Sequence, residues 1–491
     1  MNTQPNILLI LTDQHRLSAV GCCGDTPCQT PNLDRLAAEG TRFETAYTSC
    51  PVCSPARASI MTGRYPHQHG ICSNVHNLGC CVHELPDSPT LLSRRLLQAG
   101  YACGYTGKWH LGADRDRAYG APVSPSLPRH VGFDGQNFPG HGGGGFNYPE
   151  YKAYLNDNGY THEITQAAGV SYRPICNGVK YGILTGPEES TVPHFLTSHT
   201  IDLIDKYRNS DNPFFIWHNF WGPHGPYYIP QEYFEIYRNI EIPQWPNFHW
   251  EEAEANAPRQ VKLHPRRDRL AWKDWADAIR HYYAFATMID HQIGRLIHHL
   301  RTTGLLENTL IIFTADHGET LGSHGGLTDK GWQHFEEIQR IPFIVRPPDS
   351  WNTARPGTVR SEWASLLDVY PSILDAAGAE GSSGNPGQSL LPLLRDEPVA
   401  WRDSVVVEFN GVNNLATSML TLRKDHLKYG WNCSSRDELY DLQKDPWETH
   451  NVISDPAYTE DRCRMRVLLR DWMKETRYAG LGMYEQSRLP E

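Results

Sequence analysis

Short, almost wholly apolar runs that alternate with helix-period segments constrain this chain more than any other feature. NILLILT (6–12), YACGYTG (101–107), PFFIWHNF (213–220), TLIIFTA (309–315) and IPFIVRPP (341–348) are too short for buried helices. They are also too uniformly apolar for strands with one wet face, so they read as strands covered on both sides. Between them, TPNLDRLAAEG, TLLSRRLLQAG and HYYAFATMIDHQIGRLIHHLRTTG repeat apolar residues at three-to-four spacing, as helices lying on a sheet require. The alternation predicts an α/β sandwich with a large, mostly parallel central sheet flanked by helices. From SVVVEFNG (404–411) onward the pattern turns to hairpin-like strands and one helix over 456–477, a small antiparallel sheet with its own cover. With 491 residues there is room for one large core and a smaller one, divided here at 1–400 and 401–491. GHGGGGFNYPEYKAY and the Trp- and Pro-rich region 222–272 read as long surface loops.

Several classes are excluded early. No apolar run approaches the roughly 18 to 20 residues that cross a bilayer, so no membrane role is expected. A formal net charge of −11 gives no basic footprint for nucleic acid. The N-terminus lacks a basic region, and its apolar stretch Ile7–Leu11 is shorter than a signal-peptide core, which points to a cytoplasmic protein. The 12 cysteines, spread along such a chain, then read as thiols in a reducing compartment.

In an open parallel sheet, ligands bind outside the carboxyl ends of the strands. The residues that follow the apolar runs are Asp13 and Gln14, Lys108 and His110, His224, and Asp316 and His317. Asp13, Gln14 and Asp316 are hard oxygen donors suited to Ca²⁺, Mg²⁺ or Mn²⁺, and His317 completes the shell or binds substrate. Either aspartate alone reads equally well as a helix cap. In SCPVCSPARASIMTG (49–63), Ser54 is a plausible N-cap, Pro55 fits the first helical position and Gly63 is the terminator. Cys53 would then sit at a helix N-terminus, where free N–H groups lower a thiol's pKa, with Arg57 one turn in. Three readings compete: a Cys50/Cys53 redox pair, a zinc site, and Cys53 as a nucleophile with Cys50 in the core. Zinc needs a second paired ligand set, and Cys22/Cys23 and Cys80/Cys81 have the wrong spacing.

CSPARASIMTGR closely resembles the signature of the type I sulfatases of the alkaline phosphatase superfamily, in which the cysteine of a Cys-x-Pro-x-Arg motif becomes formylglycine. NILLILTDQ, GKWHLG, GPHGP, TADHGETLGSHG, DKGWQHFEEIQRIPFIV and ELYDLQKDPWETHNV are similar to the family's other landmarks, in the same order. The resemblance implies an alkaline-phosphatase-like sandwich. It implies one divalent cation, usually calcium, held by Asp13, Gln14, Asp316, His317 and the modified Cys53. Gln14 stands where many sulfatases have a second Asp, and His317 where they often have Asn, which admits manganese or magnesium. A hydrated aldehyde at position 53 would offer one hydroxyl to attack sulfur and a second that His110 deprotonates to expel sulfate. By the same resemblance His224 is the general acid for the leaving alcohol, helped by Lys330, while Lys108 and Arg57 offset negative charge.

The implied partners are a small-molecule or oligosaccharide sulfate ester and a formylglycine-generating or anaerobic maturation enzyme. Trp221, Tyr227, Tyr228, Trp245, Trp250 and Trp272 would suit stacking on sugar rings or ordinary packing, and the first favours a carbohydrate sulfate. Phosphonate monoester hydrolases of the same superfamily resemble the chain at Asp13-Gln14 and Asp316-His317, and Asn74 would suit substrate binding in such a site. They tend to lack the Lys-x-His seen at Lys108 and His110. A redox protein, or a non-catalytic binder of sulfated ligands, is the alternative from another class.

Overall fold

The computed structural model describes residues 4–75, 82–113, 125–166, 180–249, 270–330, 334–353, 355–381, 384–412 and 415–488. Its main sheet has eight strands: β1 (Asn6–Asp13), β2 (Thr41–Phe43), β3 (Ala102–Gly107), β4 (Asp134–Gly135), β5 (Phe214–Pro223), β6 (Thr309–Ala315), β7 (Phe343–Arg346) and β8 (Thr358–Arg360). They lie in the order β8-β2-β7-β6-β1-β5-β3-β4. Only β7 runs against its neighbours β6 and β2. The four strands at the centre, β6-β1-β5-β3, are parallel, with Leu9 opposite Ile312 on one side and Trp217 on the other.

Strand β1 shows why this sheet is buried on both faces. Ile7 to Leu11 are all fully buried. Leu8 and Ile10 enter a core with α1 (Pro31–Glu39), α4 (Val192–Tyr207) and α5 (Trp272–Thr302). Ile7, Leu9 and Leu11 enter the opposite core with α2 (Cys53–Thr62), α3 (Leu92–Gln98) and α6 (Val369–Ala377). Each such side chain gains about 1.5–3 kcal/mol from burial. The long helix α5 also ties down α1, whose N-cap Thr30 makes no side-chain cap bond. Asp290 of α5 accepts from Asn32 N at 3.1 Å and Leu33 N at 2.8 Å instead.

The tail forms a four-stranded antiparallel sheet, β9 (Ser404–Val412), β10 (Leu415–Lys424), β11 (Leu427–Asn432) and β12 (Glu438–Asp441). Two helices cover it, α7 (Thr459–Thr476) and α8 (Leu481–Arg488), where one was expected. The second is anchored by Tyr484, fully buried in the tail's core. Stretches read as loops also contain helices. PEYKAYLND forms one (Pro149–Asp157) that starts on a proline and buries Tyr151. Within 222–272, Tyr227–Pro230 is a strand and Gln231–Tyr237 a helix that buries Tyr233, Phe234 and Tyr237. Among the described residues no helix is long and apolar enough to cross a membrane, and every cysteine is a free thiol.

Candidate active site

Because β6, β1, β5 and β3 are parallel and adjacent, their carboxyl ends deliver Asp316, Asp13, His224 and Lys108 to one edge of the sheet. The ladder carries on past the strands and fixes them. Asp316 N donates to Thr12 O at 3.1 Å, His224 N to Asp13 O at 3.1 Å and Lys108 N to Asn219 O at 3.3 Å. Cys53 arrives from the first turn of α2. One ligand atom from each of Asp13, Cys53, Asp316 and His317 lies within 4.8 Å of the others, and all four residues are buried.

Arg57 holds the two carboxylates apart and in place. Its Nε donates to Asp316 Oδ2 at 3.1 Å and its Nη2 to Asp13 Oδ2 at 3.0 Å. Its Nη1 donates to Lys108 O at 2.7 Å and Asn219 Oδ1 at 2.9 Å. Lys108 Nζ meets Asp13 Oδ2 at 2.6 Å. Removing one member of so buried a set leaves uncompensated charge and costs about 3–5 kcal/mol.

The electrostatics favour an anion at position 53. Burial and the Asp13 charge push the Cys53 thiol up, but Lys108, Lys330 and His317 outweigh them and hold it at about 5. Burial also works against ionising Asp13, yet Lys108, His224, Arg57 and Lys330 keep it well below the carboxylate range. Asp316 is the opposite: burial and then Asp13 push it up to about 7. His317 Nδ1 donates to Gly318 O at 2.9 Å, which turns Nε2 to Cys53 Sγ at 3.3 Å.

Ser54 is not the N-cap. The helix starts on Cys53 with Val52 as cap residue, because the Ser54 hydroxyl donates to His110 O at 2.6 Å, a partner no local rule anticipates. Gly63 ends the helix with φ 66° as expected. Asn74 Oδ1 accepts from Ser54 N at 3.1 Å, beside Cys53. Cys50 is fully buried against Val52, Phe409, Val412 and Met419, and burial first of all pushes its thiol well up, so it offers no thiolate partner to Cys53.

Gln14 lies between an acceptor and a donor. Its Nε2 donates to Glu319 Oε2, while its Oε1 accepts from Lys330 Nζ at 2.7 Å. A carboxylate only accepts and an ammonium only donates, so the amide has one satisfactory orientation. Three imidazoles flank the cluster: His141 lies edge-on to His110 at 5.2 Å between ring centroids and to His224 at 4.9 Å. His224 Nδ1 donates to Gly225 O at 2.8 Å, which leaves Nε2 as the nitrogen not tied to backbone.

Residues 5–379 match the family model described as Sulfatase, and residues 322–475 match that of the N-sulphoglucosamine sulphohydrolase C-terminal region. The chain belongs to the sulfatase family. It is a sulfuric ester hydrolase by that membership. Among its relatives is the uncharacterized sulfatase YidJ of Escherichia coli (strain K12), 31% identical over 96% of this chain and 88% of the relative. The N-acetylglucosamine-6-O-sulfatase of Bacteroides thetaiotaomicron is 26% identical over 96% of this chain and 87% of the relative. The phosphonate monoester hydrolase of Agrobacterium radiobacter shares the fold, with a TM-score of 0.79 at 24% identity over 96% of each chain.

The aromatic residues expected as a sugar platform in this sulfatase mostly build its core. Trp221, Tyr227 and Trp245 are buried, Tyr228 and Trp272 half-buried, and Trp250 lies outside the described residues, as do Cys80 and Cys81. Three site residues escaped the reading of the sequence: Asn219, Glu319 and His141. Asn219 is a polar residue inside an apolar run, which was the available signal. Glu319 follows His317 by two residues, and His141 opens a run of four glycines.

Proposed function

We propose that this sulfatase hydrolyses carbohydrate sulfate monoesters through residue 53. The observation that carries the reading is the placement of Cys53: buried at a helix start, with its sulfur within 4.8 Å of a ligand atom of each of Asp13, Asp316 and His317, and its thiol drawn down by the charges of Lys108 and Lys330. Such a position stabilises negative charge on the side chain and on an anion that approaches it. The carbohydrate class draws support from the N-acetylglucosamine-6-O-sulfatase relative.

The donor set suits a divalent cation. Two buried carboxylates, an imidazole and the side chain at position 53 bring one ligand atom each to within 4.8 Å of the others. Asp13, Asp316, His317 Nε2 and the second lone pair of Gln14 Oε1 would hold Ca²⁺, with Mn²⁺ or Mg²⁺ fitting the same donors. A cation there supplies charge for the sulfuryl oxygens and eases deprotonation of a hydroxyl at position 53. Oxidised to formylglycine by a formylglycine-generating or anaerobic maturation enzyme, residue 53 supplies hydroxyl groups as nucleophile in place of the thiol.

The remaining roles belong to the chain's own side chains. Lys108 and Lys330 bring ammonium groups to the sulfate. Arg57 has donors on both carboxylates, so it acts by positioning them rather than by meeting the sulfuryl oxygens directly. His110, whose carbonyl is clamped by Ser54, stands beside the start of α2 as base for residue 53. His224 turns Nε2 to the leaving oxygen; burial and then Lys330 keep the ring neutral with its proton on Nδ1, so the proton for that oxygen is relayed through Nε2 from the Lys330 ammonium.

Mass spectrometry of the peptide 49–64, paired with rates on sulfated sugars, an aryl sulfate and a phosphonate monoester, tests this reading. Aldehyde at position 53 with turnover of sugar sulfates is expected. An unmodified, inactive Cys53 after expression with a maturation enzyme, or faster turnover of the phosphonate, overturns it.

A further inference from the structure

His141 is the imidazole that the chemistry above leaves unused. It is half-buried, whereas Asp13, Cys53, Arg57, Lys108 and Asp316 are almost wholly out of solvent. Its ring rests against both His110 and His224, the groups assigned to the nucleophile and the leaving oxygen. Among the described residues, neither of its ring nitrogens meets a hydrogen-bond partner.

The loop that carries it is built for one shape. Trp221 Nε1 donates to His141 O at 2.5 Å. Gly142 to Gly145 follow with φ of 64°, 57°, 74° and 90°, four consecutive left-handed residues. A Cβ on Gly145 would sit 2.6 Å from Val192 Cγ1, and one on Gly143 2.6 Å from Asn147 Nδ2. Side chains are therefore shut out of the loop after His141, and the imidazole is pre-set against His110 and His224 rather than carried on a free tether.

We propose that His141 is a specificity-determining residue, which hydrogen-bonds the hydroxyl next to the scissile ester on the leaving alcohol and so selects sulfated polyols such as sugars over aryl sulfates. A neutral imidazole offers one donor and one acceptor, the complement of an alcohol hydroxyl. Burial, and then Lys108 and His110, keep the ring neutral. A site built to bond a substrate hydroxyl discriminates strongly against an analogue that lacks it. The inference rests on the sulfate-ester reading of the same site.

The test compares wild type, His141→Ala and His141→Gln on the best substrate from a panel of monosaccharide sulfates and on 4-nitrophenyl sulfate. His141→Ala is expected to lower kcat/KM on the sugar sulfate by about 10- to 100-fold, with 4-nitrophenyl sulfate changed by less than about threefold. His141→Gln, which keeps a donor and an acceptor, is expected to recover part of the loss. Equal losses on both substrates, or no loss on the sugar sulfate, overturn the proposal, as does a wild type that cleaves only the aryl ester. A wild type inactive on every sulfate in the panel refutes the underlying sulfate chemistry and the role of His141 with it. Thermal midpoints of the variants guard against misfolding.

Discussion

Glu319→Gln exchanges one buried oxygen for an NH₂ group and tests whether this carboxylate sets the direction of Gln14. Glu319 accepts from Gln14 Nε2, from Leu321 N at 3.0 Å, from Asp329 N at 2.5 Å and from Thr320 Oγ1 at 3.3 Å. A carboxylate serves all four donors, whereas a carboxamide has one oxygen and two hydrogens of its own. If the new NH₂ faces Gln14, two donors confront each other. If Gln14 turns over to accept from it, the Gln14 NH₂ then faces the Lys330 ammonium. Either way at least one buried donor loses its acceptor, at about 1–3 kcal/mol. That range is about five- to 150-fold in an equilibrium constant. Where Gln14 Oε1 is a cation ligand, much of the cost falls on cation binding, in line with the loss of about 10- to 100-fold seen when groups that orient metal ligands are removed. The expected result is a Kd for Ca²⁺ or Mn²⁺ at least about tenfold higher by titration calorimetry, with a lowered thermal midpoint. A Kd within about twofold of wild type and an unchanged midpoint would refute the reasoning.

Three other outcomes are expected. Cys50→Ala, which trims a sulfur from an apolar cluster, should cost about 1 kcal/mol and leave hydrolysis within about twofold, while Cys53→Ala abolishes it; equal loss in both without unfolding would restore the redox-pair reading. Prolonged chelation should remove activity, and Ca²⁺ or Mn²⁺ should return it, whereas full activity after chelation would argue against a resident cation. Burial raises Asp290 to about 6 from 3.8, so its contribution to stability is complete below about pH 4 and is lost as pH rises through about 6. The shift is worth about 3 kcal/mol. The stability difference between wild type and Asp290→Asn should shrink by up to that amount between about pH 4 and pH 7 in denaturant titrations, and a pH-independent difference would contradict it.

The parts of the site that could be read in advance are those that the sheet itself delivers. Asp13, Lys108, His224 and Asp316 each follow an apolar run, so parallel topology alone brings them together. What stayed hidden depends on contacts distant in sequence. Ser54 has the sequence of an N-cap, yet its hydroxyl goes to a carbonyl 56 residues further on. Glu319 gains its meaning only once Gln14 is beside it, 305 residues away. The aromatic residues around 221–245 carry the composition of a sugar platform, but burial in the core claims most of them. The helices at Pro149–Asp157 and Gln231–Tyr237 are short and tyrosine-rich, so their period is drowned by nearby glycine, proline and tryptophan.

Strand β9 lies directly over the approach to α2. Glu408 N donates to Ser49 O at 2.9 Å, and Phe409 and Val412 close on Cys50 and Val52. Cys53 follows Val52 directly and is itself buried. On the proposed conversion of residue 53, the modifying enzyme would have to reach a side chain that the folded chain buries, so oxidation would precede the arrival of residues some 350 positions downstream. Yield of competent molecules would then be set by a race between oxidation and closure, and slowing translation across the last quarter of the message should raise it.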